Sequence, residues 1–259
     1  MQLKMYQIDA FAQNVFEGNS AAVVPLESWL DDALMQKIAM ENNLSETVFF
    51  VKESGYYHIR WFTPLAEVDM CGHATLASAY VLFEILGYTQ ESVVFDSKSG
   101  LLEVKKEADK YILDFPVQKL ERSEVLQELQ EAFSKEIKEC YKAMDYLLVF
   151  KKHEDLQNVQ IDLEALKKLD LRGVIITAQS KEYDFVTRFF APKYGIDEDP
   201  VTGSAFTQLV PYWSKTLDKT SFKAKQISKR GGEVFCELKG DRVTIAGYGV
   251  KFFEATIEI

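Results

Sequence analysis

Three side chains in this sequence could move a proton, and each stands beside a different local signal. Glu46, in "NLSETVFFV", is a lone carboxylate entering an apolar strand, a setting that suits general acid–base work. His73 lies inside the turn "CGHATLA" and is one of only three histidines, with His58 and His153. No two of them stand at metal-ligand spacing, so no metal is expected. Asp199 precedes a second turn in "EDPVTGSA", where Pro200 restricts the backbone. Taken singly, Glu46 also reads as a strand-edge charge, and His73 and Asp199 as helix caps. They become a site only if the fold brings them to a common cleft.

The two turns themselves suggest a ligand. Gly72-His73-Ala74-Thr75 and Thr202-Gly203-Ser204-Ala205 each open an apolar helical stretch. A helix N-terminus offers free backbone N–H groups and partial positive charge, and glycine lets a ligand come close to the backbone. A pair of such ends would hold a small carboxylate-bearing substrate. Ordinary helix caps would look the same.

The chain reads as a duplication. "RWFTP" (60–64) returns as "RFFAP" (188–192), and each copy runs through acidic residues into its glycine turn. The separations are nearly constant: 128 from Phe62 to Phe190, 131 from Gly72 to Gly203, 132 from Gly100 to Gly232. Two copies are too few for a solenoid, so a two-lobed molecule is expected. Each copy reads as strand, Pro-containing loop, glycine turn and helix; "YYHIRWF" and "YDFVTRFF" have the aromatic and β-branched content of strands. Apolar spacing predicts a helix over 121–139 that opens the second lobe, and Ser28 is the expected N-cap of an earlier helix. The lobes are then 1–115 and 116–249. The final strand, 250–259, lacks a counterpart in its own half and can return to the first lobe.

Composition narrows the class. The chain of 259 residues is 47% hydrophobic with 18 Phe and 12 Tyr, enough for a packed core and unlike a disordered chain. A net charge of −10 makes nucleic acid and anionic membrane poor partners. The basic stretch "KTSFKAKQISKR" reads as a solvated strand. The longest apolar run, "ATLASAYVLFEIL", includes Glu84 and is too short to span a bilayer, and the first residues lack a signal-peptide core. Three cysteines form neither a disulfide framework nor a zinc pattern. A cytoplasmic protein is expected.

The stretches "DAFAQNVFEGNSAAVV" (9–24), "NLSETVFF" (43–50), "FTPLAEVDMCGHATLA" (62–77), "FAPKYGIDEDPVTGSA" (190–205) and "SKRGGE" (228–233) resemble the PhzF-like proteins of the diaminopimelate-epimerase-like fold. The resemblance implies an α+β molecule of two pseudo-repeated lobes, each a mixed, mostly antiparallel sheet around a central helix. It implies an isomerase that needs no cofactor, with Glu46 as the proton carrier. By the same match His73 and Asp199 hold polar groups of the substrate, and Gly72, Gly203 and Ser204 bind its carboxylate. Asn19 falls near a cleft-facing turn, although Ser20 stands where relatives often have Pro. A homodimer is also implied. Epimerases of this fold use a cysteine from each lobe; here Cys71 fills the first place but Thr202 the second, and a hydroxyl is far too weak an acid to substitute. Amino-acid epimerisation through Cys71 and a non-catalytic binding role remain the alternatives. Pro211, within the second central helix, is expected to kink it or end its first segment early.

Overall fold

The computed structural model describes all 259 residues, Met1–Ile259. The chain divides into two compact units, one of Met1–Asp114 with Ala246–Ile259 and one of Phe115–Ile245. The first unit contains β1 (Gln2–Ala10), β2 (Asn19–Leu26), α1 (Asp32–Asn42), β3 (Glu46–Lys52), β4 (Tyr57–Phe62) and β5 (Glu67–Val68). There follow α2 (Gly72–Tyr80), β6 (Ser92–Ser97), β7 (Gly100–Glu107) and β8 (Lys110–Pro116), whose last two residues already belong to the second unit.

Its sheet is mixed. β1 and β2 are antiparallel, β2 and β3 parallel, β3 and β4 antiparallel. β4 then pairs antiparallel with the short β5 and parallel with β6, and β6, β7 and β8 continue antiparallel. The C-terminal strand Gly249–Glu258 lies antiparallel along β1, from Gln2 opposite Glu258 to Ala10 opposite Gly249. The sheet wraps α2, in which every residue from His73 to Ala79 is buried. Ala74, Ala77, Ser78 and Ala79 make that possible, because small side chains let strands approach the helix from all sides. The helix then widens into a π-turn over Val81–Ile85.

The second unit contains β9 (Glu121–Ser123), α3 (Gln127–Ala132), β10 (Glu139–Lys142), β11 (Tyr146–Val149), α4 (His153–Asn158), α5 (Leu163–Leu166) and β12 (Val174–Gln179). Next are β13 (Phe185–Ala191), β14 (Ile196–Asp199), α6 (Phe206–Leu217), β15 (Ser221–Gln226), β16 (Gly232–Lys239) and β17 (Arg242–Gly247). Its pairing repeats the first unit's. β10 and β11 are antiparallel, β11 and β12 parallel, β12 and β13 antiparallel. β13 pairs antiparallel with short β14 and parallel with β15, and β15 and β16 are antiparallel. The fold is therefore α+β, with a duplicated strand plan.

The repeated Arg-aromatic-Phe string has a physical reason. Arg60 on β4 forks onto Glu67 of β5, with Nε and Nη2 at 2.8 and 2.9 Å from its carboxylate, and lies 5.2 Å from the Phe62 ring centre. Arg188 on β13 forks onto Glu198 of β14 at 2.7 and 3.0 Å and lies 5.0 Å from the Phe190 ring centre. Each fork clamps a short returning strand just before the glycine turn, using bidentate geometry that Lys could not supply.

Three local expectations change. The span 121–139 is not one helix: α3 covers only Gln127–Ala132, between β9 and β10. Its apolar spacing serves a single turn whose Leu129 enters the core while Phe133 makes an isolated bridge to Ile161. The cap of α1 is Asp31, whose side chain accepts from Ala33 N at 2.9 Å, and not Ser28. Pro211 does not end α6, which runs through it to Leu217. The carbonyl that a residue other than proline would have used, that of Thr207, instead receives the N–H of Gln118 at 3.1 Å. No helix is long and apolar enough to cross a membrane.

The forks generate a test. The Arg60 guanidinium, assisted by Lys98, holds Glu67 down from its ordinary 4.5 to about 2 despite partial burial. A carboxyl depressed in the folded state contributes stability that is complete above 4.5 and is lost as the pH falls toward 2. Glu67→Gln should therefore cost about 1–2 kcal/mol at neutral pH, the scale of a charge-assisted hydrogen bond with some exposure. Denaturant titrations between pH 7 and 2.5 should show the difference from wild type shrinking in the acid range. A constant difference would remove the assigned charge contribution.

Candidate active site

In the first unit, the catalytic candidates meet around one imidazole. Glu46 opens β3, opposite Ala21 of the parallel β2, and Asn19 opens β2. His73 is the second residue of α2. Its Nε2 lies 2.9 Å from Glu46 Oε2, and its Nδ1 lies 3.3 Å from Asn19 Nδ2 and 3.4 Å from Cys71 Sγ. Glu46 is 9% exposed, His73 6% and Asn19 fully buried. Glu46, Asn19 and Cys71 thus surround one imidazole, with Gly72 N-terminal to it.

The chain leading into Asn19 is tightly constrained. Buried Asp9 accepts from Phe16 N at 3.0 Å and Ser20 Oγ at 2.5 Å, which ties down the loop between β1 and β2. Gly18, at φ +63°, follows in that loop; a Cβ there would come within 2.1 Å of Ala10 O. Ser20 uses its hydroxyl in this clamp.

Electrostatics assign the protons. Burial works against a charged His73, but the neighbouring Cys71 and Glu46 outweigh it and push the imidazole well above its ordinary range. Burial first, and then the Glu46 charge, push the Cys71 thiol up. His73 draws the thiol back down, so Cys71 and His73 are coupled, and the Glu46 carboxylate faces the imidazole from the other side at 2.9 Å. With one proton on Nε2 facing Glu46, Nδ1 accepts from Asn19; a second proton on Nδ1 would point to Cys71 Sγ and require the Asn19 amide to turn over. Glu46, Cys71 and His73 also present metal-ligand atoms within 4.8 Å of one another. An ion there would have to displace the thiol proton and part the 2.9 Å contact.

In the second unit, Asp199 ends β14 and Thr202 precedes the glycine turn. Thr202 Oγ1 donates to Asp199 Oδ2 at 2.5 Å. Gln226, fully buried at the end of β15, closes the loop from behind: its Nε2 donates to Asp199 O at 2.7 Å and its Oε1 accepts from Thr202 N at 2.9 Å. Ser228 Oγ donates to Pro200 O at 2.7 Å and accepts from Gly231 N at 3.0 Å. The "SKRGGE" stretch therefore braces the "EDPVTGSA" turn. Gly203 and Ser204 begin a short 3-10 turn that leads into α6, and Ser204 Oγ accepts from Arg172 Nη2 at 3.0 Å. Asp199, Gly203 and Ser204 thus share one turn. The sequence carried no signal for Gln226 or Arg172, which lie in unremarkable strand and loop text.

The phenazine biosynthesis-like (PhzC-PhzF) profile matches residues 8–255. The chain belongs to that family. An uncharacterised isomerase of Pseudomonas aeruginosa is 49% identical over 251 residues, covering 96% of both chains. A crystal structure of a PhzF-family protein from Enterococcus faecalis superposes with a TM-score of 0.98 at 48% identity, over the whole of both chains. A hydroxyproline epimerase from Agrobacterium vitis shares the fold with a TM-score of 0.62 at 11% identity, covering 99% of this chain and 92% of that one. The protein is thus a PhzF-family isomerase with the epimerase-like fold.

This PhzF-family pocket makes a measurable statement about His73. Nuclear magnetic resonance titration of the imidazole should show it protonated well above the 6.5 of an ordinary histidine. Glu46→Gln removes the facing negative charge, so the midpoint should fall. A midpoint unchanged by that substitution would mean that Glu46 does not hold the charge.

Proposed function

We propose that the chain is a cofactor-independent isomerase that moves a proton on a small unsaturated or cyclic carboxylic acid, with Glu46 as the carrier. The observation that carries this reading is the Glu46–His73 contact of 2.9 Å between two buried groups at the mouth of an apolar strand. A carboxylate there takes a proton from a substrate carbon and returns it to another atom of the conjugated system. The substrate's unsaturation spreads the transient negative charge, so no cofactor is required. His73 donates from Nε2 to the carboxyl group or to a substrate oxygen, and Asn19 sets its orientation. Asp199 binds a polar group of the substrate, while Gly72, Gly203 and Ser204 receive its carboxylate.

The 3.4 Å contact of Cys71 Sγ with His73 Nδ1 supports a second reading, epimerisation through the thiol. Against it, burial pushes the thiol up, so little thiolate is available as a base. The residue in the second cysteine's place, Thr202, spends its hydroxyl on Asp199.

Deuterium incorporation from heavy water into a panel of unsaturated and cyclic carboxylic acids separates these readings. Wild type and Cys71→Ala should both exchange, while Glu46→Gln slows by about 10²–10⁴, the usual worth of a general acid–base group. Equal exchange by Glu46→Gln would sink its role; loss in Cys71→Ala alone would favour the thiol. Tight binding without exchange in any variant would mark a binding protein. The resemblance also supports a homodimer, so light scattering at high micromolar concentration should give twice the 29.6 kDa chain mass. A single-chain mass would reject it.

A further inference from the structure

Asp145 is a fully buried carboxylate that none of the chemistry above uses. Its role is visible in what it grips. Arg172 Nε donates to its Oδ1 at 2.9 Å and Nη2 to its Oδ2 at 2.6 Å, while Gln208 Nε2 adds a contact at 3.3 Å. The guanidinium also lies 5.3 Å from the Phe189 ring centre. The backbone beside it has no room to move: a Cβ on Gly173 would come within 2.6 Å of Phe189 Cζ and 2.8 Å of Phe190 O. Burying a carboxylate is expensive unless it is paired, and here the partner is itself held in one position.

That position is the second glycine turn. Nη2 donates to Ser204 Oγ at 3.0 Å, which leaves the Ser204 hydroxyl hydrogen to point elsewhere, and Nη1 makes no hydrogen bond. The other two forked arginines differ. The side chains of Arg60 and Arg188 are 15% and 17% exposed, and each has a further partner, Asp32 or the Leu156 carbonyl. The Arg172 side chain is 34% exposed. In a chain of net charge −10, it is a preorganised cation with donors to spare at a turn expected to meet an anion.

We propose that Arg172, fixed by Asp145, binds the substrate's carboxylate together with the Ser204 hydroxyl, and so selects anionic substrates. This rests on the reading of that turn as the carboxylate site, and it names the cation that the turn's own residues lack. A planar carboxylate meets Nη1–H and the Ser204 O–H, geometry that a lysine ammonium would not reproduce.

The probe is inorganic sulfate, titrated at low ionic strength and followed by amide chemical shifts or calorimetry. Wild type should bind it, and Arg172→Gln should weaken binding at least tenfold, with the shift changes centred on Ser204. Arg172→Gln leaves Asp145 buried and unpaired, so the double variant Asp145→Asn/Arg172→Gln is measured beside it; it removes both charges and should show the same loss. Sulfate affinity equal to wild type in either folded variant overturns the proposal, as does absence of binding by wild type. Sulfate binding needs no turnover, so a failure of Glu46 in the exchange assay would leave this result standing.

Discussion

The Arg–carboxylate fork is the constraint on which both units depend. A two-residue strand such as β5 has almost no ladder of its own, and β14 has little more. Each is nevertheless the segment that must deliver the chain to the glycine turn at the proper height. Arg60 and Arg188 solve this by spanning the gap with paired, directional hydrogen bonds and stacking on the Phe two residues on. The string recurs because the same mechanical problem recurs: a strand ends at proline, reverses, and must be pinned before a helix can start.

Below these pins the two copies have diverged in chemistry while keeping the same pairing plan. The first turn is occupied by an imidazole flanked by a carboxylate, a thiol and an amide. The second is occupied by a carboxylate whose loop is fixed by a hydroxyl and a buried amide, with a guanidinium beside it. An imidazole paired with a carboxylate thus marks one repeat, and a guanidinium paired with a carboxylate marks the other. A duplicated scaffold makes such a division of labour possible, because each turn can be tuned without disturbing its twin.

Much of this was legible in the sequence because its signals are local. Repeated strings at a near-constant offset announce a duplicated plan, and "GHAT" and "EDPVTGSA" mark where helices begin. The failures are instructive for the same reason. The span 121–139 has helical spacing from Val125 to Ile137, yet β9 and β10 take both its ends, since neighbouring strands offered pairing that an exposed helix could not match. Ser28 has the chemistry of a cap, but Asp31 sits where the helix starts. Asp145, Arg172 and Gln226 were invisible because their meaning arises only on contact: Arg172 stands 32 residues from Ser204, and Gln226 stands 24 from Thr202. No window of sequence short enough to read as a motif contains either pair.

The C-terminal strand Gly249–Glu258 has a consequence for biosynthesis. It lies along β1, so the sheet around α2 is completed only by residues made after the whole Phe115–Ile245 unit. The Phe115–Ile245 unit is continuous in the chain and can close while synthesis proceeds. The unit that holds Glu46 and His73 must wait, with the outer edge of β1 open, while all of Phe115–Ile245 is made. An unpaired strand edge is an invitation to foreign strands. During that interval the nascent chain is most exposed to mispairing, and a ribosome that stalls late would release a molecule with one sound half and one sticky one.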